Sequence, residues 1–139
     1  EDVVDIYMPD FKFWDEEPAR RFCAARNYRN AACTAVIEMH RQVGDLVMDE
    51  KGIALRGLLV RHLVMPGGLA GTPGVMGFLA ENVSRDTYVN VMDQYHPCFR
   101  AGQDPLINRR VTRAEYTDAV EAALSAGLKR LDTRRRFLA

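Results

Sequence analysis

The residues able to do chemistry fall into three short clusters. Asp10 and Lys12 follow an apolar run at 3–8. Arg61 and His62 lie in a second run at 57–65. Gln94, Tyr95 and His96 follow a third run at 88–92. Each cluster stands where an apolar run gives way to turn residues: Pro9, Pro66-Gly67-Gly68 and Pro97. If the three runs are parallel strands, the clusters share the C-terminal edge of one sheet. Ligands of parallel α/β folds bind there. The residue types are charged or hydrogen-bonding, which suits holding a polar ligand. No serine sits on a nucleophile elbow and no HExxH is present.

Taken singly, each residue also has a plainer reading. Asp10 can cap a turn, Lys12 can be a solvated loop lysine and His96 an ordinary loop histidine. Arg61 is mid-strand, where an unpaired charge is costly to bury, so it needs a carboxylate or a ligand. His62 points to the opposite face from Arg61. Only one of them can face the ligand side, and Arg61 is favoured. His40 lies in a helical pattern and reads as a surface or satisfied-core histidine. Gly67, Gly68 and Gly71 match neither GxGxxG nor the Walker pattern, so a flexible strand-to-helix turn is expected rather than a phosphate cradle.

The elements that position these residues can be read from patterning. Residues 3–8 read as a strand covered on both faces, as in parallel sheets. Residues 15–25 read as a helix with Asp15 as N-cap and Pro18 in its first turn. A stronger helix spans 30–43, with Ala32, Val36, Met39 and Val43 on one face and Gly44-Asp45 ending it. Residues 46–48 and 53–55 flank the polar turn Asp49-Glu50-Lys51-Gly52, a hairpin insertion. Residues 57–65 form the clearest strand. Thr72-Pro73 opens a helix running to about Val83, with Thr72 as N-cap. Residues 88–92 form a third strand. Thr112-x-x-Glu115 is a capping box opening a helix to about Ala126, with Gly127 as C-cap. Leu128 and Leu131 could extend that helix.

The order is strand, helices, strand, helix, strand, helix, which means a parallel sheet with right-handed crossovers. Three main parallel strands leave unprotected edges. The expected fold is therefore α/β, a portion of a barrel or of a larger sheet, in one domain over 1–139. The chain lacks an initiator Met, and its first strand needs neighbours, so the true N-terminus is expected upstream.

Composition narrows the class. With 19 Lys plus Arg against 19 Asp plus Glu, the net charge is zero. That removes the general argument for nucleic acid or an anionic membrane. Arg134-Arg135-Arg136 is a short basic tail, read as solvated. No apolar run reaches membrane length and no signal peptide is visible, so a cytoplasmic location is expected. Cys23, Cys33 and Cys98 have no metal-site spacing. Cys23 and Cys33 read as buried small apolar residues.

Four stretches resemble one family: Val4-Asp5-Ile6-Tyr7-Met8-Pro9-Asp10-Phe11-Lys12, Glu38-Met39-His40-Arg41-Gln42-Val43-Gly44-Asp45, Gly57-Leu58-Leu59-Val60-Arg61-His62-Leu63-Val64-Met65-Pro66-Gly67, and Tyr88-Val89-Asn90-Val91-Met92-Asp93-Gln94-Tyr95-His96-Pro97. They resemble radical S-adenosylmethionine proteins of the pyruvate formate-lyase activating-enzyme type, from about residue 3 to about 128. The resemblance implies the C-terminal portion of a partial (β/α)6 TIM-like barrel. It implies S-adenosylmethionine and a 4Fe-4S cluster in the full-length protein. Reductive cleavage there yields a 5′-deoxyadenosyl radical that abstracts hydrogen, in true activating enzymes from a glycyl residue of a partner protein. An electron donor such as flavodoxin or ferredoxin is implied as well.

Carried over residue by residue, Asp10 and Lys12 match an Asp-x-Lys that holds the cofactor's ribose or a cation, and its carboxylate. Arg61 matches an arginine facing cofactor or substrate. His96 matches a histidine near the ribose, although Gln94 replaces the family's proline. The CxxxCxxC loop that holds the cluster is absent from this chain. The expectation is a fragment that neither binds the cluster nor turns over, and whose bare edges favour self-association. A non-catalytic binding module and an unrelated α/β enzyme are the alternatives.

Overall fold

The structure is a computed structural model that describes residues 3–132. Its strands are β1 (Ile6–Tyr7), β2 (Val47–Met48), β3 (Ala54–Leu63), β4 (Tyr88–Met92) and β5 (Arg130–Asp132). Its helices are α1 (Glu16–Cys23), α2 (Tyr28–Val43), α3 (Thr72–Phe78) and α4 (Arg113–Ser125). The sheet order is β1-β3-β4-β5, all parallel, with β2 antiparallel to the start of β3. The α/β class with a parallel sheet and flanking helices is therefore as expected. The basic tail at 134–136 lies outside the described residues.

Alternation along β3 separates two environments. Leu58, Val60 and His62 are fully buried, whereas Leu59, Arg61 and Leu63 are half-buried. In β4, Val89 and Val91 are buried while Tyr88, Asn90 and Met92 are half-exposed. One core joins Leu58, Val60, Val89 and Val91 to Val36 and Val43 of α2, Val75 and Met76 of α3, and Ala119 and Ala123 of α4. Helices α2, α3 and α4 thus pack on one face of the sheet. On the other, more open face Leu59, Arg61, Tyr88 and Asn90 are half-exposed, while Leu63 at its end packs against a second cluster containing Phe13 and, from α1, Ala19 and Phe22.

Local chemistry explains the element ends. Glu115 and Thr112 form the expected capping box, with the Thr112 hydroxyl accepting from the Glu115 N–H. At the other end of α4, Gly127 takes φ +92° and donates to Leu124 O, while Leu128 N donates to Ala123 O. This is a Schellman closure. It stops the helix and turns the chain into β5, so Leu128 and Leu131 do not extend α4. Their three-residue spacing mimics a helix, and the parallel strands number four rather than three. The hairpin forms as expected, its turn held by Asp49 Oδ1 accepting from Lys51 N and Ile53 N. Gly57 marks where β3 leaves the hairpin for the sheet. It takes φ +113°, and a Cβ there would collide with the Asp45 carbonyl.

Among the described residues the run at 3–8 has a strand neighbour on one side: β1 is an edge strand of two residues, and Val3, Val4, Ile6 and Met8 are exposed. Apolar content alone does not supply a second neighbour. Cys23 is exposed rather than buried, because it closes α1 on the solvent side, and Cys33 is only half-buried.

Candidate functional site

The first and second clusters do come together. Asp10 bridges Arg61 across the parallel pairing of β1 and β3, with Phe11 N donating to Arg61 O and Arg61 N to Pro9 O, both 2.9 Å. The side chains follow: Arg61 Nε donates to Asp10 Oδ1 at 2.6 Å, and Lys12 Nζ lies 3.5 Å from Asp10 Oδ2. The hydrogen bond from Arg61 holds the Asp10 carboxyl below its ordinary range, against a smaller opposing effect of burial. Arg61 has thus found the carboxylate that its position demanded. Asp10 is more than a turn cap, since it carries two cations.

The register extends this pair into a row. Arg61 stands opposite Asn90, and Asn90 opposite Asp132. Asp10, Arg61, Asn90 and Asp132 therefore cross four strands on the open face, flanked by Leu59 and Tyr88 on one side and Leu63 and Met92 on the other. Sequence reasoning missed Asn90 and Asp132. Asn90 was visible as the lone polar residue inside an otherwise apolar strand, whereas Asp132 required knowing that β5 exists.

The other face carries the supports. His62 is fully buried, with Nδ1 2.7 Å from Phe11 O and Nε2 2.8 Å from Thr72 Oγ1. A carbonyl only accepts, so Nδ1 carries the proton and Nε2 accepts from the Thr72 hydroxyl. Burial pushes the His62 pKa down to about 4, so the ring is neutral. Thr72 is consequently not the N-cap of α3. Its hydroxyl is engaged by His62, and Gly71, in a left-handed conformation, precedes the helix instead. Tyr28 of α2 accepts from Lys12 N at 2.8 Å and donates to Asp10 O at 3.4 Å. Phe11, between the two site residues, is fully buried among Trp14, Tyr28 and Phe78. Backbone pairing, His62 and Tyr28 together fix the Asp10–Lys12 segment. Neither His62 nor Tyr28 was identified from sequence as a support.

His96 is placed apart. It is exposed, and among the described residues its ring reaches only Gln94 O, at 3.5 Å. It lines a hollow with Asp93, Cys98 and Arg110, and that hollow touches the neighbouring cleft of Lys12 only through Leu63, Tyr95 and Cys98. The third cluster is therefore beside the row rather than on it. His40 pairs with Asp45 at 3.0 Å and is satisfied locally. Gly67 and Gly68 form a turn of left-handed residues, and Gly67 N donates to Glu115 Oε1. A carboxylate already sits where a phosphate would have to bind.

Among the described residues, no group of three or more His, Cys, Asp or Glu is arranged to hold a metal ion. No helix among them is long and apolar enough to cross a membrane.

No protein-family model and no solved structure matches the chain. Over 122 residues it is 35% identical to an uncharacterized protein of Methanocaldococcus jannaschii, a stretch that is 87% of this chain and 32% of the relative. The chain spans about a third of the length of the curated relative it matches.

Proposed function

We propose that this chain is a sector of a parallel barrel belonging to a radical S-adenosylmethionine enzyme. Its open face would hold part of the cofactor or the substrate. The observation that carries the proposal is the in-register polar row, Asp10, Arg61, Asn90 and Asp132, on the face opposite α2, α3 and α4. Sequential order β1-β3-β4-β5 with α2, α3 and α4 on one side suits a barrel wall. One half of a doubly wound sheet has the same order and helix placement, so it is the resemblance that favours the barrel.

The donor set fits the organic cofactor. Lys12 and Arg61 offer cations to a carboxylate, and Asp10 offers acceptor lone pairs to ribose hydroxyls or an ammonium. It does not fit the cluster. Cys23 and Cys98 are exposed, Cys33 is half-buried, and no metal-holding group is formed among the described residues. The cluster and the hydrogen-abstraction chemistry would belong to another part of a longer protein. This chain would bind and orient. A glycyl-radical-type protein substrate and a flavodoxin or ferredoxin donor remain part of the same proposal.

The test uses the natural full-length protein that carries this sequence. Isothermal titration with S-adenosylmethionine is expected to show binding that Lys12→Ala weakens roughly tenfold or more, the scale of one charge-assisted hydrogen bond. Unchanged affinity in that variant, or no binding by the parent, would overturn the reading.

A further inference from the structure

Next to the row, but outside it, lies a cleft of about 640 Å³ between α1 and the loop at 98–107. That volume is in the range of small-molecule sites. Its floor is apolar and aromatic, with Phe13, Phe22, Leu63 and Tyr95. The floor is fixed, since Tyr95 Oη donates to Ile107 O at 2.8 Å and Phe13 stacks on Phe22 at 6.4 Å. The rim is basic. Lys12, Arg21 and Arg100 face a single carboxylate, Asp104, which Arg21 holds at 2.6 Å across the mouth.

The lip of this cleft has an unusual residue. Phe99 is 90% exposed and sits at φ +50°, in the left-handed region that bulky residues avoid. An aromatic ring held in water on a strained backbone costs stability at both levels. Such outliers gather at ligand clamps. The Arg100 guanidinium lies 5.4 Å from the Phe99 ring, so a cation and a flat apolar surface are presented together over the cleft.

We infer that the cleft binds a small anion carried on a flat apolar body, with Phe99 covering the ring and Arg100 meeting the charge. This does not rest on the cofactor reading above. Only Lys12 and Leu63 are shared, and the cleft's other groups come from α1 and the segments after the strands.

The test is a titration of the ¹⁵N-labelled full-length protein that carries this sequence with 2-naphthoate, followed by amide shifts. The neutral 2-naphthamide and the cationic 2-naphthylmethylammonium serve as controls. Saturable shifts are expected at Phe22, Leu63 and Ala101, strongest for the carboxylate and absent for the ammonium. Phe99→Ala and Arg100→Ala are exposed loop changes, and unshifted amides elsewhere would verify that the fold is kept. Each should weaken 2-naphthoate binding roughly fivefold or more, as loss of a stacked ring or a partly desolvated cation does. Shifts located elsewhere, equal binding of the ammonium, no saturable shift in the millimolar range, or parent-like affinity in both variants would each overturn the inference.

Discussion

The covered and open faces of the sheet are made from alternate residues of the same strands. Arg61 and His62 are adjacent in β3, yet they answer to different solvents. On the covered face, His62 has lost all water and its two nitrogens are used by Phe11 O and Thr72 Oγ1. On the open face, Arg61 keeps 36% of its side-chain exposure and shares Asp10 with Lys12. One face converts side chains into stability. The other keeps polar groups half-hydrated, where a ligand can still exchange with water. The comparison predicts that equivalent truncations on the two faces will differ in kind as well as in size.

The largest effect should come from Phe11, which is covered but stands between two open-face residues. Its ring is fully buried in the aromatic cluster. Phe11→Ala should cost about 3–5 kcal/mol, the usual price of deleting a buried aromatic ring. Urea unfolding followed by circular dichroism measures this. A loss below about 1 kcal/mol would mean that the covered face is not a close-packed core.

The next effect is a pH dependence assigned to His62. Its folded pKa is about 4, against an ordinary value of 6.5, because burial penalises the charged ring. Below pH 6.5 the unfolded chain takes up a proton that the folded chain refuses. Stability therefore falls as pH drops from about 6.5 towards 4, by about 3 kcal/mol at full extent. His62→Gln has no such titration, so the difference between parent and variant should shrink steadily over that window. Asp10 and Glu115, whose carboxyls are held low by Arg61 and Arg109 respectively, weaken the fold as pH falls further. They do so in both proteins and cancel in the comparison. A constant offset between the two curves would show that His62 is not buried neutral.

Much of the covered face was legible from sequence, because burial writes itself as periodicity. The faces of α2 and β3, the hairpin and the capping box at Thr112 and Glu115 all follow from spacing and turn chemistry. Asp10 and Lys12 were visible as charges beside a strand end, and Arg61 as a charge inside a strand that needs a partner. What stayed hidden depends on pairing between distant segments. β1 looked buried because its residues are apolar, but exposure depends on neighbours. β5 was masked because Leu128 and Leu131 sit at helical spacing and only the turn at Gly127 ends α4. Without β5 the row stops at Asn90, and Asp132 has no role. Thr72 was misassigned because a hydroxyl before a proline has two uses, and the choice was made by His62 ten residues away.

The smallest stability effect should be on the open face. Arg61→Met keeps the aliphatic stem against Leu59 and Leu63 and removes only the guanidinium. The pair it breaks is partly exposed, so solvent already screens it, and the cost should be about 1 kcal/mol or less. Its signature should be electrostatic instead. With the Arg61 hydrogen bond gone, the Asp10 carboxyl has only Lys12 at 3.5 Å to hold it down. Its pKa should rise towards the ordinary aspartate range, as carboxyl carbon NMR titration would show. Stability from this pair is present above the unfolded pKa and is lost as pH falls, so the variant should match the parent most closely in acid. A large destabilisation at neutral pH would place Arg61 in the core and erase the contrast between the two faces. A small one with a clear Asp10 shift would mean that the open face is kept polar at little benefit to the fold.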